Sequence, residues 1–123
     1  MAIAKYGFNE LVTLAQNAGF TDVSTAAAVA LAESGGDPQA YNREPQDAPG
    51  GHTNKYGRVS ADDGLGSYGL WQIYLAAHPE FSGQDLTDPQ INANAALKVY
   101  YDSGGFSAWS TYKSGKYQEY LNA

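Results

Sequence analysis

One acidic residue, Glu33, lies at a position where a carboxylate is unfavourable. It follows an alanine-rich stretch, STAAAVALAESGG at residues 24–36, which predicts a helix. The C-terminal end of a helix carries partial negative charge and favours Lys, Arg or His. Residues that break such a local rule are often functional. Ala26 and Ala30, seven and three residues earlier, share the face of Glu33 and leave room for a groove.

The chemistry that Glu33 could perform is general acid catalysis. A carboxyl group partly removed from water holds its proton more tightly, because desolvation disfavours the charged form. A pKa raised in this way lets a glutamic acid donate a proton near neutral pH. The alternative interpretation is a frayed helix end with the Glu33 carboxylate in water.

A second stretch whose residues could take part in binding or catalysis is GSYGLWQI at residues 66–73. Gly69 permits a close approach of two backbone segments. The rings of Tyr68 and Trp71 offer flat surfaces with a polar tip, which suit a sugar-binding groove, although tyrosines are also common in half-buried cores. Gln72 could hydrogen-bond a sugar amide or a catalytic acid, or it could be a buried amide satisfied within the protein.

Several helices are predicted to position these residues. Residues 8–18 and a stretch from about residue 22 to Ser34 have apolar side chains at helical spacing, and each precedes a glycine. Residues 88–103 begin with Asp-Pro and precede two glycines, which indicates a third helix. We also predict that residues 68–81 open a short helix and that another forms at residues 107–112.

The segment between the second helix and the GLWQ stretch differs from the rest. Residues 37–67 hold most of the prolines and many glycines, and long loops of this kind inside a domain tend to be functional. Residues 56–60 fit a short hairpin. The sequence therefore predicts one mainly α domain with a long loop inserted after the second helix.

Composition excludes several classes of function. The net charge of −6 argues against nucleic acid and anionic membranes as partners, since both require basic patches. The chain has no cysteine, and its two histidines, His52 and His78, are far apart and read as surface residues, so we predict no metal site and no cofactor. The first twenty residues lack the apolar core of a signal peptide, so we expect other machinery to export the protein.

Taken in order, the motifs resemble the soluble lytic transglycosylase and goose-type lysozyme superfamily, particularly small domains of bacteriophage tail proteins and endolysins. The resemblance covers about residues 22–117. The motifs that carry it are ESGGDP from Glu33, SYGLWQI from Ser67, an Asn/Ala-rich helix, and WSTYKSG from Trp109. It implies a single lysozyme-like catalytic domain over residues 1–123, with an α+β fold and a long loop or small hairpin after the second helix.

The resemblance also implies a substrate and a set of site residues. The substrate would be peptidoglycan, cut at the β-1,4 bond between N-acetylmuramic acid and N-acetylglucosamine, with Glu33 as the acid. Asn94 or Asn92 falls in the region of the family's Asn-x-x-Ala helix, and Lys113 replaces the asparagine of the family's Ala-Tyr-Asn-x-Gly motif. The residues implied to bind substrate are Ser34, Tyr68, Gly69, Leu70, Trp71, Gln72, Asn94 and Tyr112.

Two reactions are compatible with this site. Both begin when the acid protonates the glycosidic oxygen, but a hydrolase then uses a second carboxylate to position water. Asp63, beside Asp62 and six residues before Gly69, is the candidate, although Asp-Asp-Gly is also an ordinary turn sequence. Tyr74 stands where goose-type enzymes have a further Asp. The sequence therefore favours a transglycosylase, in which the muramyl 6-hydroxyl attacks.

The alternative from another class is a non-catalytic glycan-binding module or a structural phage tail domain, which would have no need of Glu33. We expect a monomer that acts on glycan strands in a phage virion or at the bacterial cell wall. Many bacterial walls are anionic, so an acidic protein gains little from electrostatic steering. We therefore expect a phage tail assembly or a wall-binding domain to deliver it.

Overall fold

The computed structural model describes residues 5–42, 66–75 and 77–121. The α-helices in this part of the chain are α1 (Phe8–Ala18), α2 (Val23–Ser34), α3 (Pro89–Ser103) and α4 (Ser110–Lys113). The strands are β1 (Tyr41–Asn42), β2 (Ser67–Tyr68) and β3 (Ile73–Tyr74). Short 3₁₀ helices cover Pro79–Phe81, Phe106–Ala108 and Lys116–Tyr120. The predicted mainly α, α+β fold is confirmed.

The three long helices begin and end where local sequence signals predict. The carboxylate of Asp22 accepts a hydrogen bond from the backbone N–H of Thr25 and caps α2. Asp88 caps α3 in the same way. Gly35 adopts the left-handed conformation, with a φ of 66°, and its N–H donates to Leu31 O. The predicted helices at 8–18, 22–34 and 88–103 are therefore confirmed.

The prediction that residues 68–81 open a helix is wrong, because residues 67–74 form a β-hairpin. The sheet is antiparallel with the order β1-β2-β3. In a helix the carbonyl of Tyr68 would accept from Gln72 N, but here Gln72 N donates to Gly69 O and Tyr68 O accepts from the side chain of Asn92. A φ of 75° at Gly69 also directs the chain out of helical geometry.

The predicted short helix at 107–112 is interrupted. A 3₁₀ helix ends at Ala108, Trp109 is extended with a φ of −100° and a ψ of 121°, and α4 begins at Ser110. The predicted hairpin at residues 56–60 lies outside the described residues. The break at Trp109 lets α4 turn toward α2.

Helix α2 lies in the core. Ala26, Ala27, Ala28, Val29 and Ala30 have no exposed surface, so the helix is covered around its circumference and its small side chains allow close packing. The larger buried side chains around it include Leu11, Phe20, Leu70, Trp71, Ile73, Phe106 and Trp109. None of the helices in the described ranges is long and apolar enough to span a membrane.

Candidate active site

The carboxyl group of Glu33 faces a cleft between α2, the hairpin and the segment that leads into α4. Glu33 is half-buried in the last turn of α2, and that turn is closed by Gly35 and not frayed. The cleft has a volume of about 320 Å³. The described residues that line it are Glu33, Ser67, Gln72, Ile73, Tyr74, His78, Val99, Ala108, Trp109 and Ser110. Within this described lining, Glu33 is the one carboxylic acid.

A hydroxyl group from α4 holds the Glu33 carboxyl. Thr111 Oγ1 donates a hydrogen bond to Glu33 Oε2 at 2.7 Å. The two residues are 78 positions apart, and no local pattern in the sequence connects them. Sequence reasoning missed Thr111, and its position beside Tyr112 in the predicted motif was the nearest available signal.

Two tryptophan indoles determine where α4 lies relative to α2. Trp71 Nε1 donates to Ala26 O at 2.9 Å, and Trp109 Nε1 donates to Trp71 O at 2.8 Å. Both indoles are buried. We call this chain of contacts, from Ala26 through Trp71 to Trp109, the indole bridge. Ala26 and Glu33 belong to the same helix, α2. The two indole hydrogen bonds and the hydrogen bond from Thr111 to Glu33 therefore connect α2, the hairpin and α4 to one another.

Gln72 lines the cleft and also holds the sheet together. Its Nε2 donates to Gly69 O at 2.9 Å and to Ala40 O at 3.3 Å, and its Oε1 accepts from Asn42 Nδ2 at 2.6 Å. Its φ of 50° is unusual for a residue with a side chain. Such backbone conformations persist where surrounding contacts determine them and are frequent at functional sites. The amide is thus satisfied within the protein while part of its side chain faces the cleft.

Asn92, with no exposed surface, clamps the hairpin onto α3. Its Nδ2 donates to Tyr68 O and to Leu86 O, and its Oδ1 accepts from Trp71 N, all at 2.8 Å. The clamp explains the glycine of the GLWQ stretch, because a Cβ at Gly69 would lie 2.4 Å from Asn92 Nδ2. Asn92 is therefore the asparagine of α3 that supports the cleft.

Four residues of the predicted binding set lie beneath the cleft or beside it. Gly69, Leu70 and Trp71 are buried, and the last two have no exposed surface, so Trp71 presents no ring to a ligand in this structure. Tyr68 packs against Tyr41 with ring centroids 4.7 Å apart and faces a separate pocket of about 160 Å³. These residues shape the backbone that carries Gln72.

Three more predicted residues do not line the cleft. Ser34 Oγ donates to the carbonyl of Ala30 at 2.9 Å, which secures the end of α2. Asn94 is exposed and accepts a hydrogen bond from the side chain of Gln90 at 3.0 Å. Tyr112 stacks on Tyr117 with centroids 4.9 Å apart. The structure therefore brings Glu33 and Gln72 together but separates them from these three side chains.

The remaining predictions concern histidines and the second carboxylate. His78 is half-buried and lines the cleft, so it is not the ordinary surface residue that we expected. Its Nδ1 lies 3.7 Å from Glu80 Oε2. His52 and the pair Asp62 and Asp63 lie outside the described residues. Across the described ranges, no group of three or more His, Cys, Asp or Glu side chains could hold a metal ion.

The fold and the cleft define a small helical α+β domain with an acid at the end of its buried helix. The chain matches a family model described as a lysozyme-like domain over residues 12–111. Because this match spans most of the chain, the protein belongs to the lysozyme-like domain family, and its general class is that of enzymes that cleave peptidoglycan. No curated protein and no solved structure matches the chain.

Proposed function

We propose that the protein cleaves the β-1,4 bond between N-acetylmuramic acid and N-acetylglucosamine, with Glu33 as the general acid. The observation that carries this proposal is the position of the Glu33 carboxyl. It is half-buried, lines a cleft, and accepts a hydrogen bond of 2.7 Å from Thr111 of α4. A carboxyl that is partly shielded from water and fixed in orientation suits proton donation to a bound glycoside.

The reaction begins when a glycan strand occupies the cleft. Glu33 transfers its proton to the glycosidic oxygen as the bond to the muramyl C1 breaks and positive charge develops on the ring. The N-acetylglucosamine side leaves with the transferred proton as a free 4-hydroxyl group. The Glu33 carboxylate that remains stabilises the positive charge through space.

For the second step we propose attack by the muramyl 6-hydroxyl on C1. Glu33 accepts the proton that this hydroxyl loses, which regenerates the acid and leaves a 1,6-anhydromuramyl end. Tyr74 supports this proposal because it lines the cleft and stands where goose-type lysozymes have a carboxylate. A hydrolase would instead use water positioned by a second carboxylate, for which Asp63 is the candidate.

Mass spectrometry of released muropeptides distinguishes the two reactions. Anhydromuramyl ends are expected from the transglycosylase, and reducing muramyl ends would contradict it. Asp63→Asn provides an independent test, since only the hydrolase needs that carboxylate. We expect this variant to retain activity, and its complete loss of activity in a folded protein would favour the hydrolase.

The assignment of Glu33 is tested with the matched substitutions Glu33→Gln and Glu119→Gln. Both exchange a carboxyl for an amide, but Glu119 is exposed in the C-terminal 3₁₀ helix and does not line the cleft. We expect Glu33→Gln to reduce the rate of turbidity loss of a peptidoglycan suspension by about 10²-fold or more. We expect Glu119→Gln to match the wild type.

Two outcomes would contradict the proposed catalysis. Wild-type activity in Glu33→Gln would remove Glu33 from the mechanism. If the wild type binds insoluble peptidoglycan but releases no fragments, the protein is a glycan-binding module.

We also propose that a phage tail assembly or a wall-binding domain delivers this protein to the bacterial wall. The net charge of −6 supports this, because anionic walls do not attract an acidic protein. The isolated chain should degrade purified peptidoglycan but lyse intact cells poorly from outside. Fusion to a wall-binding domain should increase lysis, and efficient lysis without fusion would contradict the proposal.

A further inference from the structure

We propose that Thr111 is a positioning residue that determines which oxygen of Glu33 carries the reactive proton. This inference rests on the proposed function of Glu33. Thr111 Oγ1 donates its hydrogen to Glu33 Oε2, and α4 supplies this donor from across the fold. With Oε2 engaged as an acceptor, the proton of the neutral acid is carried on Oε1.

The chemistry of a carboxylic acid explains this selection. A neutral carboxyl group has one hydroxyl oxygen, which donates, and one carbonyl oxygen, which is the better acceptor. A hydroxyl donor at 2.7 Å from Oε2 therefore favours the form in which Oε2 is the carbonyl oxygen. Loss of that donor would weaken the preference for Oε2 as the carbonyl oxygen, so the proton of the neutral acid would be less strongly confined to Oε1.

The donor is held in place before any substrate binds. Thr111 follows Trp109 by two residues, and Trp109 is anchored to the hairpin through its indole N–H at 2.8 Å from Trp71 O. The hairpin is anchored to α2, the helix of Glu33, by Trp71 Nε1 at 2.9 Å from Ala26 O. Because two buried indoles define the distance between α4 and α2, the hydroxyl is preorganised. A small misplacement of a catalytic group lowers rates steeply.

Thr111, and not the neighbouring Tyr112, is suited to this task. Tyr112 packs between Tyr117 and Phe106, with centroid distances of 4.9 Å and 5.4 Å, and does not line the cleft. Thr111 is half-buried, so its hydrogen bond to the carboxyl is partly protected from competing water. Sequence similarity pointed to the tyrosine, whereas the side-chain contact belongs to the residue before it.

The hydroxyl group also stabilises the ionised form of Glu33. A hydrogen bond donated to a carboxylate favours the charged state over the neutral acid. Its removal should therefore move the alkaline limb of the pH–activity profile upward, by about 0.5–1 pH unit for a partly exposed pair. Removal should also lower kcat by about tenfold, because both the rotamer and the protonated oxygen are less well defined. KM should change little, since Thr111 does not line the cleft.

The experiment compares Thr111→Val, Thr111→Ala and Thr111→Ser on soluble glycan strands across a range of pH. Valine retains the shape of threonine without the hydroxyl, and serine retains the hydroxyl. Thr13→Val is the matched control, because Thr13 is exposed on α1 and its hydroxyl donates to Asn9 O. We expect Val and Ala to show the lower kcat and the shifted limb, and Ser and the control to match wild type.

Defined results would overturn the inference. A wild-type pH profile and kcat in Thr111→Val or Thr111→Ala would remove Thr111 from the positioning of the acid. Failure of Thr111→Ser to restore the profile would show that packing, and not the hydroxyl, is responsible. Near-ultraviolet circular dichroism identifies any variant that does not fold, in which case the other hydroxyl-free variant decides. If Glu33→Gln is fully active, the proposed function fails, whereas an inactive Glu33→Gln with a wild-type Thr111→Val refutes this inference alone.

Discussion

Substitution of Asn92 by alanine removes the clamp between α3 and the hairpin. The wild-type side chain makes three hydrogen bonds of 2.8 Å, to Tyr68 O, Leu86 O and Trp71 N, and has no exposed surface. Alanine can replace none of these contacts. Two backbone carbonyls and one N–H therefore lose a buried partner, and the turn that carries Gln72 loses its attachment to α3.

The free energy of unfolding should fall by about 3 kcal/mol. Each hydrogen bond contributes about 1 kcal/mol, and a buried group left without a partner costs about 1–3 kcal/mol. The higher helix propensity of alanine returns at most about 0.7 kcal/mol, which offsets only part of the loss. A domain of this kind has about 5–15 kcal/mol in total, so the change is large.

Urea denaturation followed by tryptophan fluorescence measures this change, because Trp71 and Trp109 are 0% and 4% exposed and report on the core. Asn94→Ala is the matched control in the same helix. Asn94 is exposed, and its substitution removes only the hydrogen bond from Gln90, so its effect should stay within about 0.5 kcal/mol. A loss below about 1 kcal/mol for Asn92→Ala, or equal losses for both variants, would refute the reasoning.

Two further predictions concern the surroundings of the clamp. Gly69→Ala should lower the free energy of unfolding by about 1–3 kcal/mol in the same assay. The new Cβ would lie 2.4 Å from both Asn92 Nδ2 and Leu86 O, and the φ of 75° is unfavourable for alanine. An unchanged unfolding curve would contradict this prediction. The side-chain and backbone hydrogen bonds from Thr87 hold the pKa of Asp85 below its ordinary value of 3.8. The ionised Asp85 therefore stabilises the folded protein above pH 3.8, and this contribution is lost as the pH falls through the folded-state pKa. Thr87→Val should raise the NMR titration midpoint of Asp85, and an unchanged midpoint would count against the assigned cause.

The helices were predictable because their signals are local. Asp22 and Asp88 act as caps within three residues of the groups they bind, and Gly35 ends α2 through its own backbone conformation. Such contacts depend on neighbouring residues, so they can be read from a short stretch of sequence.

The hairpin was not predictable in the same way. The groups that keep residues 68–72 out of a helix belong largely to Asn92, 20 or more positions away. An apolar aromatic run without a clear period is compatible with either a helix or a strand, so the partner decides its structure.

The residues of the candidate site also differ in whether local sequence signals predict them. Glu33 was recognisable from sequence, because a carboxylate at the end of an alanine-rich helix contradicts a local electrostatic preference. Gln72 was recognisable as an amide in an apolar run. His78 and Thr111 were not recognisable as parts of this site, since neither residue type is unusual in its own segment.

Local patterns in the amino-acid order were enough to predict the long helices, the lysozyme-like family and Glu33 as the candidate acid. The folded arrangement was needed to find that Thr111, 78 positions after Glu33, donates to its carboxyl group and that Asn92 rather than Asn94 supports the cleft. The physical reason is the range of the interactions. Caps and helical periodicity act over a few residues, whereas the indole bridge and the contact to Glu33 exist only after distant segments have packed together.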